Sequence, residues 1–153
     1  MKNYKFVFYI LLLTGCCVSS LFAQTVVVVN PKSAITDISQ KDLKHLFLGN
    51  LSKLEEHIEL HLMALDSLKE DFYHKVTGKS SKKIAKLWIS KKITGATEVK
   101  PPEDYSSGAE IKSAIASNVG AIGFMDLKDV DESVKVLTID GKKPGDKDYL
   151  LDD

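Results

Sequence analysis

Apolar and polar positions alternate along His57-Ile58-Glu59-Leu60-His61-Leu62, with Ile58, Leu60 and Leu62 on one side and His57, Glu59 and His61 on the other. That period of two predicts a half-buried strand. After Leu65 the period lengthens, and Leu68, Phe72 and Val76 recur at helical spacing. Ser67 followed three residues later by Glu70 has the pattern of a capping box. A strand is therefore expected to run into a helix near Asp66-Ser67. Such a junction gathers unpaired backbone N–H groups and the positive end of the helix dipole, so an anion is the natural ligand there. The same junction recurs in every α/β protein, where most examples hold only water.

Elsewhere the patterning predicts alternating strands and helices. Thr25 to Val29 is β-branched throughout, as in a mid-sheet strand covered on both faces. Ser39 with Asp42 opens a short helix with Leu43, Leu46 and Phe47 inward, stopped by Gly49. The helix after Ser67 is expected to end at Thr77-Gly78. Ser80 or Ser81 caps the next, Lys82 to about Lys92, with Ile84, Leu87, Trp88 and, at its end, Ile93 on the buried side. Residues 94–107, containing Gly95 and Pro101-Pro102, are expected to form a loop. A helix follows over Ala109–Ser117, capped by Ser107 or Gly108. Strands are expected at Ala121–Met125 and Val134–Ile139, and Asp146–Asp153 as a frayed acidic tail. The predicted class is a single α/β domain around a mostly parallel sheet.

The ends refine this picture. Lys2 and Lys5 precede the apolar run Phe6–Leu13, a charged region and a hydrophobic region of signal-peptide length. Two cleavage readings stand: after Ala23, or at a lipobox-like Leu13-Thr14-Gly15-Cys16 that would lipidate Cys16. The expected organisation is a signal peptide over 1–23, one domain over 24–140 and an acidic tail over 141–153. No later stretch approaches the ~20 apolar residues of a transmembrane helix, so an exported protein, periplasmic or held in the cell envelope, is expected. Both cysteines lie in the leader, so cleavage after Ala23 leaves no disulfide to form. Taking Lys2 and Lys5 from the 21 basic residues leaves 19 against 21 acidic ones, which argues against a nucleic-acid binder.

The residues also carry a resemblance. Asp42-Leu43-Lys44-His45-Leu46-Phe47-Leu48-Gly49 resembles the "IFLGK" segment of the phosphate-binding proteins of bacterial ABC importers and of their short single-lobe relatives. Phe72, Gly78, Trp88, Gly95 and Pro101-Pro102 fall where the short relatives show Phe, Gly, Trp, Gly and a Pro pair. Gly120-Ala121-Ile122-Gly123-Phe124 is similar to their "GAIGY" strand, and Val134-Lys135-Val136-Leu137 to their "VKVL". The match spans about residues 25 to 139. It implies one lobe, the second, of a type II periplasmic binding protein fold. In full-length relatives that lobe offers phosphate an Arg-x-Asp-Gly-Ser-Gly-Thr segment. Here the segment is Ala64-Leu65-Asp66-Ser67-Leu68, which keeps the Asp and one Ser but neither the arginine nor the glycines. Lys69 stands where short relatives often carry Arg.

The resemblance implies an extracytoplasmic solute-binding-like protein with Asp66, Ser67, Leu68 and Lys69 as candidate ligands for inorganic phosphate or another oxyanion. A homodimer could rebuild a cleft from two half-sites. The alternative is a ligand-free accessory or scaffold lobe that acts through an envelope protein partner, favoured by the missing arginine and glycines. The lysines at 79, 82, 83, 86, 91 and 92 are expected first as a solvated helix face and second as a surface for an anionic partner. A third, metal-based reading has His57, Glu59 and His61 on one strand face, but a polar, solvent-facing stripe accounts for them more simply. No Ser-His-Asp, Cys-His or paired-carboxylate pattern stands at recognisable spacing. A non-enzyme without cofactor or metal is expected.

Overall fold

The computed structural model describes residues 23–51, 53–54 and 59–152. Residues 1–22 of the expected leader lie outside these residues, as do His57 and Ile58.

Strand β1 (Thr25–Val29) is buried at all five positions. It lies between β5 (Ala121–Asp126) and β6 (Lys135–Val136), antiparallel to both. Strand β3 (His61–Leu65) runs parallel to β5 on one side and to β4 (Glu103–Tyr105) on the other. The order is β4-β3-β5-β1-β6. Four of the five strands therefore point one way and β1 alone opposes them. Helices cover both faces, as neighbouring side chains of β5 show. Phe124 stacks on Phe72 of α2 (Lys69–Thr77) at 3.8 Å between centroids, with Phe47 of α1 (Gln40–Phe47) and Tyr73 edge-on around the pair. Gly123 faces the opposite way, where Ile115 of α4 (Gly108–Ser117) packs against it.

The predicted caps are largely present, because each helix start supplies an oxygen where the backbone has unpaired N–H groups. The Ser39 hydroxyl accepts from the Asp42 N–H at 3.0 Å. Ser80 does the same for α3 (Ser81–Thr94), and Ser107 for α4. Helix α1 gives way at Gly49, where φ is +66° and a Cβ would strike the Trp88 ring. Trp88 in turn donates to the Phe47 carbonyl at 3.1 Å, so α3 is pinned to the end of α1.

Four expectations are corrected. The strand is displaced along the chain: Glu59 and Leu60 precede it, and β3 starts at His61 and buries Leu62 through Leu65 on both faces, because it lies between two strands with helices on both sides of the sheet. The region expected as loop contains β4, a three-residue edge strand. The last expected strand is two, since the chain changes sheets at buried Leu137: β6 pairs with β1, while β7 (Thr138–Ile139) pairs with β2 (Asp37–Ile38) in a separate parallel ribbon. The tail is not frayed over 146–152. Tyr149 and Leu151 are buried in the core, Lys75 donates to the Leu151 carbonyl at 3.1 Å, and Gln24 donates to Asp152 at 2.9 Å.

Candidate functional site

In the order β4-β3-β5 the chain reverses its direction of progress across the sheet between β3 and β5. The crevice beyond the carboxyl ends of those strands is where an open α/β sheet takes a ligand. The stretch from Asp66 to Lys69 occupies that position. Here β3 passes through a single 3-10 turn, Asp66–Leu68, into α2.

No side chain caps this entry. Ser67 is exposed, and the expected capping box does not form. Glu70 instead turns toward α3, accepting the Ser81 N–H at 3.0 Å and the Ser81 hydroxyl. Those hydrogen bonds hold its carboxyl below the ordinary range. Leu68 is buried and can offer a ligand only its backbone.

Lys69 is the one candidate able to attract an anion by charge, and two carboxylates already hold it. Its Nζ lies 2.8 Å from Asp66 Oδ1 and 2.9 Å from Asp104 Oδ2. Asp104 arrives from the edge strand, whose register sets it opposite Ala64. Burial alone would lower the lysine's pKa, but the hydrogen bonds and charges of Asp104 and Asp66 outweigh it, and the net shift is upward. Tyr73, beneath, is pushed well up by burial and then by the same two carboxylates.

The rest of the edge is acidic as well. Asp126, buried at the end of β5, accepts the Lys128 N–H and ion-pairs with its ammonium, both at 3.1 Å. Asp129 lies against Gly108, where any Cβ would overlap its carboxylate, at the start of α4. Four aspartates, Asp66, Asp104, Asp126 and Asp129, thus lie along this edge, two around Lys69 and two near Lys128. Nor does the chain contain a guanidinium to grip phosphate in two places, since all its basic residues are lysine.

Glu59, one of the three residues of the metal reading, is exposed and pairs with Lys100 at 3.7 Å. Among the described residues no group of three His, Cys, Asp or Glu side chains could hold a metal ion.

Beside the crevice, an open groove of about 480 Å³ runs between α3 and the Pro101-Pro102 segment. Ile84, Trp88 and Tyr73 form its floor, Lys82, Ile89 and Lys92 stand along one wall, and Lys69 with Asp104 closes the crevice end. Sequence reasoning missed Asp104 and this groove. Asp104 sits in a polar three-residue strand without periodicity, and the groove exists only because β4 returns beside α3.

No protein-family model matches the sequence, and no curated protein matches it. Solved structures match the fold. An ABC-type phosphate transport receptor from Vibrio cholerae is 17% identical over 84% of this chain and 52% of its own, with a TM-score of 0.57. A protein assigned as a phosphate ABC transporter substrate-binding protein, with phosphate bound, from Clostridium perfringens is 16% identical over 79% of this chain and 46% of its own, with a TM-score of 0.63. PstS from Borrelia burgdorferi is 13% identical over 84% and 53%, with a TM-score of 0.61. The chain spans about half the length of these structures. It has the α/β fold of a single lobe of the periplasmic-binding-protein type, with a mostly parallel sheet.

Proposed function

We propose that this chain is an exported, non-catalytic accessory lobe of the solute-binding type, working in phosphate handling at the cell envelope and acting through a protein partner rather than by capturing free oxyanion. The observation that carries this reading is the double ion pair on Lys69. A phosphate arriving at α2 would have to displace Asp66 or Asp104 and then sit beside both. What remains in this lobe to attract it is the helix end, worth about 0.3–1 kcal/mol for an exposed anion.

A second reading is favoured by the uncapped entry of α2, whose backbone N–H groups no side chain claims. Here Asp66, Ser67, Leu68 and Lys69 hold phosphate or another oxyanion weakly, with a second copy or another lobe completing the cleft. Thermal unfolding with millimolar phosphate against chloride at matched ionic strength separates the two. Ligand at a hundred times its dissociation constant adds about 2.7 kcal/mol, several degrees in a domain of this size. The accessory reading expects no phosphate-specific rise. It also expects Asp66→Asn with Asp104→Asn, which frees Lys69, to create one. A rise in the unaltered protein that Ser67→Ala or Lys69→Ala weakens would establish the second reading instead.

A further inference from the structure

Helix α3 carries Lys82, Lys83, Lys86, Lys91 and Lys92 without an acidic residue among them. Lys91 is engaged, donating to the Gly49 carbonyl at 2.9 Å and to Asn50. Lys82, Lys83, Lys86 and Lys92 are exposed, and none has an ion pair among the described residues. Between these cations lies apolar surface. Ala85, Ile89 and Ile93 follow one another at four-residue spacing along the outer side of the helix. Ile89 is 60% exposed and Ile93 80%, against the expectation that Ile93 would be buried. One apolar side chain left in water is unremarkable, but a stripe opening onto a groove floored by Trp88 and walled by two prolines marks an interaction surface.

We propose that the groove between α3 and Pro101-Pro102 docks an acidic segment of a partner protein, its apolar side chains seated against Trp88, Ile89 and Pro102 and its carboxylates paired with Lys82 and Lys92. The proposal rests on the accessory reading and supplies the partner's chemistry. Charge complementarity selects an acidic occupant, because among the described residues Lys82 and Lys92 on the rim have no ion pair and the one carboxylate lining the groove, Asp104, is bound to Lys69. Concavity selects a protein segment over a lipid surface. A bilayer would meet the outer stripe but leave the groove empty, whereas anchor residues of a segment fill it, and aromatic-lined pockets of this kind dominate binding energy.

The test is a selection of a randomised twelve-residue peptide display library against the folded protein. Selected peptides are then titrated while the emission of Trp88, the single tryptophan, is followed. The expected result is enrichment of Asp and Glu around two or three apolar positions. Affinity should fall about tenfold or more for Ile89→Asp and for Lys82→Glu with Lys92→Glu, and should weaken with added salt. Lys147→Glu, on a remote exposed residue, should leave it unchanged. Selected peptides without acidic enrichment, or binding that Ile89→Asp leaves intact, overturn the proposal. So does a protein that selects no peptide yet sediments with phosphatidylglycerol vesicles through the same lysines. The phosphate experiment is independent: a groove that fails without any phosphate effect leaves the accessory reading standing with its partner elsewhere.

Discussion

At the carboxyl edge of the sheet, Lys69 reaches two carboxylates within 3 Å, whereas four lysines on the exposed side of α3 reach none among the described residues. The two regions share the same groove, one closing its end and the other forming its wall. At the edge, Lys69 already has its carboxylates, so an incoming anion competes with partners in place. On α3, Lys82, Lys83, Lys86 and Lys92 have no ion pair among the described residues, so an incoming anionic group meets no competing carboxylate among them.

Removing the support of α3 should have the largest effect. Trp88 is buried, hydrogen-bonded to Phe47 and packed against Gly49, so Trp88→Ala is expected to cost about 3–5 kcal/mol, read from the urea midpoint. Because α3 would lose its seat while β3 and β4 keep their register, peptide binding should vanish. The smaller test acts on the other region. Lys69→Met leaves Asp66 and Asp104 facing each other across a partly solvated site, and about 1 kcal/mol or less of stability should be lost near neutral pH.

That variant also changes the pH profile. Since the folded protein raises the pKa of Lys69, its contribution is fully present below the ordinary lysine value of about 10.4. It disappears as pH rises through the higher folded value. The unaltered protein should therefore lose stability in that alkaline window by an amount the variant does not. The smallest effect is expected on the solvated side of α3. Lys86→Glu should shift the urea midpoint by the equivalent of about 0.5 kcal/mol at most, since the residue is exposed and has no ion pair among the described residues. A large loss there would mean that the lysine face is structural after all.

Much of the frame was legible from local chemistry. Ser39, Ser80 and Ser107 mark helix starts because a hydroxyl one step before a helix can do little else as well, and β1 declares itself by four consecutive valines. Local chemistry failed where a residue's partner is distant in sequence. Ser67 and Glu70 have the spacing of a capping box, but Glu70 finds a better donor in Ser81. The alternation at residues 57–62 runs ahead of β3, whose burial on both faces leaves no alternation of its own. Tyr149 and Leu151 are two apolar residues in an acidic stretch, and only the packed sheet shows that they belong to the core. The candidate site followed the same division. The crevice at Asp66–Lys69 was placed by the change of period and the family resemblance. Its neutralisation by Asp104 depends on a parallel register that no spacing announces.

The hydrogen bond from Gln24 to Asp152 has a topological consequence. It brings the beginning of the first strand and the end of the packed tail to one corner, so a few added residues could join them into a ring. A lobe whose first strand and packed tail meet can be reopened elsewhere without disturbing its layers. The turn after α3, where Gly95 takes a left-handed conformation in open space, is a suitable place. Such a permuted chain should fold to the same sheet order while releasing the end of α3. The lobe is in this sense a closed circuit that a longer protein could accept as an insert through a single pair of neighbouring joins.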